Sequence, residues 1–184
     1  MKSILLCTLL VVSSLIADCE YEKESAKATW KAFKTYEKLG VAGSFDQATF
    51  VIQKAVSLDQ LLASADVTIE TKSVNTGNAG RDATINATFF ETQNAKLIVG
   101  KIKSAANGKA QVDITMNGIT KTIPMNYAIS NENIISAKGI IDLADFSMLS
   151  SLQSINKACF DLHLGKTWQD VEIGFEIKTK KTCK

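Results

Sequence analysis

Ile69 to Phe90 reads IETKSVNTGNAGRDATINATFF, and the changes of period along this stretch decide the fold. Val67, Ile69 and Thr71 alternate with Thr68, Glu70 and Lys72, so a half-buried strand runs into Ser73. Asn75-Thr76-Gly77-Asn78-Ala79-Gly80 then interrupts the chain with turn-forming residues. Arg81-Asp82 opens a short helical passage that closes on Phe89-Phe90. The chain on either side repeats the theme of strands with brief helical interruptions.

Upstream, Ala28, Trp30 and Ala32 alternate with Lys27, Thr29 and Lys31 to open the first long strand. Gly40 and Gly43 predict a sharp bend or bulge before Phe45. Ala48 to Val56 reads as a further strand, and Ser57 is the expected N-cap of a short helix carrying Leu58, Leu61 and Leu62. Downstream, Lys96 to Ser104 and Lys109 to Met116 flank Asn107-Gly108, and Asn117-Gly118 leads into Thr120 to Ile129. Asn-Gly between alternating runs is the strongest short hairpin signal. One face collects Val112, Ile114 and Met116, then Ile123, Met125, Tyr127 and Ile129, then Ile135, Ala137, Gly139, Ile141 and Leu143. Pro124 lacks a ladder donor, which predicts a bulge or a locally unpaired position. Ser150 to Leu164 breaks the period: Leu152, Ile155, Ala158 and Cys159 fit a short amphipathic helix stopped at Gly165. Val171, Ile173, Phe175 and Ile177 mark the final strand. Many short strands, tight turns and a single proline predict an all-β antiparallel barrel with short helical insertions. A barrel of this size is either filled by side chains or holds one slim ligand, and alternation does not choose between the two.

The 184 residues divide into a leader over 1–17 and one domain over 18–184. Lys2, the apolar run Ile4 to Val12 and Ser13-Ser14-Leu15-Ile16-Ala17 have the layout of an export signal, with cleavage expected after Ala17. The run is too short to span a bilayer, and no later stretch approaches that length, so the mature chain is expected to be soluble and exported. A lipid anchor at Cys19 is disfavoured because Asp18, not a small residue, precedes it. Loss of Lys2 with the leader takes 21 Lys+Arg to 20, against 19 Asp+Glu, so no electrostatic case exists for a nucleic-acid partner. Once Cys7 departs, Cys19, Cys159 and Cys183 remain, which implies one bridge and one free thiol. A closed barrel sets the start of its first strand beside the end of its last, which favours Cys19–Cys183. Cys19–Cys159 competes with it, and the sequence leaves both open.

Several segments, in order, resemble the YceI-like family of bacterial lipid- and polyisoprenoid-binding proteins. They are Trp30-x-x-Phe33-Lys34, Val41-x-Gly43-x-Phe45, Ser73-Val74-x-Thr76 with Arg81-Asp82, Met116-Asn117-Gly118-Ile119-Thr120-Lys121, and Asp145-Phe146 with Met148. The resemblance covers the whole mature chain. It departs at Lys34, where the family often carries a His, and around Cys159 to His163 with Gly165-Lys166-Thr167-Trp168, which looks like a subgroup feature. It implies a periplasmic lipocalin-like barrel, not an enzyme and without cofactor, that carries a polyisoprenoid, isoprenoid quinone or fatty-acid amide. It also allows a homodimer and transient contact with a membrane.

The side chains expected to line such an interior are Trp30, Phe45, Phe89, Phe90, Met116, Met125, Tyr127, Phe146 and Phe175, with Phe90 and Tyr127 foremost. Ordinary core packing is the competing role for each, and a packed barrel that only contacts a partner is the alternative function. Arg81 and Asp82 are candidates for orienting a ligand head group, against the simpler role of bracing the loop and helix start. Cys159 and His163 stand four apart, the spacing of two metal ligands or of a thiolate with its base. His163 is the only histidine and no third ligand or orienting group accompanies it, so a thiol packed as a small hydrophobe beside a histidine is the favoured reading.

Overall fold

The computed structural model describes residues 19–93 and 95–183. The leader, its cleavage point and Cys7 lie outside the described residues. Ten strands form one antiparallel sheet: β1 (Cys19–Lys34), β2 (Leu39–Phe45), β3 (Ala48–Val51), β4 (Asp66–Glu70), β5 (Val74–Asn75), β6 (Leu97–Ala106), β7 (Lys109–Met116), β8 (Ile119–Ile129), β9 (Ile134–Asp142) and β10 (Asp170–Cys183). Their order is β3-β4-β6-β7-β8-β9-β10-β1-β2-β5, and the sheet curls into a half-barrel. Among the described residues four short helices accompany it: α1 (Leu58–Ala63), α2 (Ala79–Ile85), α3 (Leu149–Ala158) and α4 (Phe160–His163).

The first and last strands pair in the middle of the sheet rather than at a barrel seam. Cys19 and Cys183 are partners across that ladder and form the disulfide, leaving Cys159 free. On the outer face of the same ladder Lys27 meets Glu176 at 2.8 Å and Lys31 meets Glu172 at 3.8 Å. On the inner face Ala28 opposes Phe175 and Trp30 opposes Ile173.

The curl is produced at a corner inside the deciding stretch. β2 continues into β3 after Asp46-Gln47, and β4 continues into β5 through a 3₁₀ turn at Thr71–Ser73. Each half of one bent strand pairs with a half of the other, β3 with β4 and β2 with β5. The bend consumes backbone donors that would otherwise be orphaned. Asp46 N–H donates to Ser73 O, Gln47 N–H to Ser73 Oγ, and Glu70 N–H to Gln47 O.

Other expectations change in detail. Gly40 and Gly43 mark no bulge, because β1 and β2 pair in unbroken register and the reversal is a turn at Thr35–Lys38. Gly43 lies directly opposite Trp30, and a Cβ there would stand 2.5 Å from Trp30 Cζ2 and 2.9 Å from Asn75 O. The glycine is a close-approach site, not a kink. The strand expected to reach Val56 ends at Val51, since beyond it only Ala55 bridges to Tyr21. Pro124 sits without a bulge opposite Gln111, and the β8–β9 ladder begins only at Asn126, so its missing donor falls where no ladder needs it. Both Asn-Gly turns form, with Asn107, Gly108, Asn117 and Gly118 all at positive φ, as a tight type I′ hairpin requires. The single helix expected over Ser150 to Leu164 is split at Cys159 into α3 and α4, and Leu164-Gly165 at positive φ ends it. Ser57 caps α1 by accepting from Gln60 N–H.

Candidate functional site

Ala28, Trp30, Val67, Ile69, Ile98, Val112, Ile114 and Ile173 project from the inner face of the sheet but do not close on one another. Ile85 of α2, Leu152 and Ile155 of α3, Leu162 and His163 of α4, and Phe89-Phe90 cover the space opposite. Together they enclose a cavity of about 590 Å³ with a predominantly apolar lining. Among the described residues no Asp or Glu lines it, and Lys34 and Arg81 are the only charged residues that do.

Phe89 and Phe90 occupy a π-helical turn, Asn86–Phe90, that extends α2. The extra residue per turn brings two consecutive aromatics to the cavity. Their rings meet edge to face at 5.1 Å, and Phe90 packs on Phe45 at 6.2 Å. The motif before them is a brace. Thr76 Oγ1 donates to Asp82 Oδ1 at 2.6 Å and accepts from Arg81 Nε at 2.8 Å, while Arg81 Nη2 donates to Thr76 O at 3.1 Å. Asn78 caps α2 by accepting from Arg81 N–H.

Of the residues expected at the site, Trp30, Phe45, Phe89, Phe90, Met116, Met125, Phe175 and Arg81 line the cavity. Asp82 does not, because Thr76 holds its carboxylate. Phe146 does not, being wholly buried under α3 where its carbonyl accepts from Asn117. Tyr127 does not either. It lies at the filled end of the sheet, where its hydroxyl donates to Asp59 Oδ1 of α1 at 2.6 Å. Burial, then that bond, pushes the Tyr127 phenol above its ordinary range.

The helical wall is where the sequence reading fell short. The period of Leu152 and Ile155 marks a buried face without saying what it faces, and four-residue α4 is too short for a period at all. The departure from the family's pattern supplies the site's polar end. Asn156 Nδ2 donates to Gly165 O at 3.2 Å, so Asn156 Oδ1 is turned toward Thr167, whose hydroxyl donates to it at 2.8 Å. Thr167 Oγ1 must then accept from His163 Nδ1, 2.7 Å away. The proton therefore sits on Nδ1 and leaves a lone pair on Nε2. Burial, helped by the nearby Lys34 ammonium, holds the His163 imidazole below its usual pKa. Cys159 also lines the cavity, but its link to His163 is through the backbone, its carbonyl accepting from His163 N–H at 2.9 Å, and among the described residues its thiol makes no hydrogen bond to the imidazole.

Several solved structures share this architecture. A polyisoprenoid binding domain from Saccharophagus degradans implicated in plant cell wall breakdown aligns with a TM-score of 0.63 at 16% identity, over 90% of this chain and 99% of that one. BcnA of Burkholderia cenocepacia aligns at 0.54 with 14% identity, over 84% and 96%. A YceI protein of Campylobacter jejuni aligns at 0.50 with 22% identity, over 78% and 85%. At such identities the likeness is one of fold alone. None of the curated proteins matches the chain. Residues 20–179 match the model of the YceI-like domain, and with that extent of agreement the chain belongs to the YceI-like family.

Proposed function

We propose that this protein is an exported, non-enzymatic carrier of a long-chain hydrophobic ligand, a polyisoprenoid or similar amphiphile, held between the curled sheet and its helices. The observation that carries the reading is the apolar cavity of about 590 Å³, a volume within the usual range for small-molecule sites. Each methylene buried contributes ~0.8 kcal/mol, so about a dozen supply roughly 10 kcal/mol gross before the costs of association. A tail can thus be held with few polar contacts. The polyisoprenoid binding domain with the same fold supports that choice of cargo, and the leader-like first 17 residues support export.

Loading would take place at a membrane surface. Leu162 lines the cavity and is also 71% exposed, and Phe160 beside it is exposed as well, so the cavity opens next to apolar side chains. A packed barrel serving only as an interaction surface conflicts with the open volume. Organic extraction and native mass spectrometry of protein made in a membrane-containing host test the reading. A co-purifying long-chain species at one per chain is expected. Repeated recovery of empty protein that also rejects added long-chain compounds would overturn it.

A further inference from the structure

Resting on the carrier reading, we propose that the cavity selects a cargo ending in a hydroxyl, a long-chain alcohol, whose O–H donates to Nε2 of His163. Three features of the polar end lead there. The relay from Gly165 O through Asn156 and Thr167 commits Nδ1 as a donor, so the imidazole offers the cavity only an acceptor. Among the described residues no partner satisfies Nε2, and His163 is half-buried on the cavity wall. An acceptor left unpaired against an apolar tail is penalised, and one paired with a hydroxyl is not.

The other polar groups narrow the choice further. Lys34 lines the same cavity and offers donors only, which an alcohol oxygen accepts with its lone pairs while its proton goes to His163. Arg81, the second cation, gives two of its five N–H groups to Thr76 and, like Lys34, offers donors only. A carboxylate head would satisfy Lys34 but set its own lone pairs against that of Nε2. A methyl ether would leave Nε2 without a donor. Of these heads the alcohol alone answers both residues.

The test uses the full mature chain, stripped of lipid, titrated at neutral pH with dodecan-1-ol, 1-methoxydodecane and dodecanoate, which share one tail. The alcohol is expected to bind about tenfold more tightly than the ether, and His163→Phe, which keeps a flat ring without the acceptor, is expected to erase that difference while both compounds still bind. Thr167→Val releases the tautomer without touching the ring and is expected to reduce the preference in the same direction. Equal binding of alcohol and ether by the unaltered chain, tighter binding of dodecanoate, or a preference that survives both variants overturns the hydroxyl inference alone. Failure of all three compounds to bind overturns the carrier reading along with it.

Discussion

The two ends of the curled sheet carry the same alternating pattern and meet different fates. At one end Leu61 and Leu62 of α1 drive inward, fully buried, against Ile102, Ala110, Tyr127, Ile135 and Ile177, and none of these seven residues lines the cavity. At the other end Ala28, Ala32 and Gly100 stand among the inward positions, and the helices that cover them contribute a wall rather than a plug. The same strands therefore build a solid core and a hollow. What differs is side-chain volume on the strands and the depth to which the covering helix inserts. An interior close-packed at one end and open at the other is a division of labour between stability and binding.

Filling the hollow breaks the comparison most sharply. Ala32→Phe places a ring in the cavity, and we expect ligand uptake to fall by about a hundredfold or more, roughly 3 kcal/mol of binding, with the unfolding midpoint preserved; titration beside thermal unfolding reads both. Removing the staple acts on the whole sheet. The Cys19–Cys183 bridge closes a separation of 164 residues, and in the chain-entropy model Cys183→Ser costs about 5 kcal/mol, seen as a lowered denaturant midpoint under oxidising conditions. In the solid end, Leu62→Ala should cost about 3 kcal/mol through the cavity it leaves, while ligand affinity changes little.

The smallest expected effect concerns the bond that ties α1 to β8. Tyr127→Phe should cost about 1 kcal/mol and leave binding unchanged. Because the folded-state pKa of Tyr127 is raised, its stabilising contribution is full below the ordinary tyrosine range and is lost as pH rises from about 10 through the folded value. The phenylalanine variant should lose that alkaline dependence, and equilibrium unfolding at neutral and alkaline pH checks it.

Much of the frame was legible along the chain. The Asn-Gly hairpins, the Ser57 cap, the final strand and the order of family motifs are local signals, set by backbone preferences within a few residues. Tyr127 shows the limit. Its place in the alternation correctly put it inside, and its polar tip made it an attractive cavity residue, but its partner Asp59 lies 68 positions away on α1. Gly43 shows the same limit from the backbone side, since only the ring of Trp30 and the carbonyl of Asn75 on the two neighbouring strands explain why no side chain stands there. Cys159 and His163 were visible as a pair, whereas the relay that makes His163 an acceptor required Thr167 and Asn156 to be brought around a positive-φ turn at Leu164-Gly165.

Alternation by itself determined the fold class and which face of each strand is apolar, because period two is a property of the extended backbone. Only the tertiary structure decided that the interior is half filled, that β1 and β10 meet at mid-sheet, and that a bent strand pair curls the sheet at Ser73. The reason is physical: whether facing side chains touch depends on the distance between elements far apart in sequence, and that distance is set by the curl and the covering helices together.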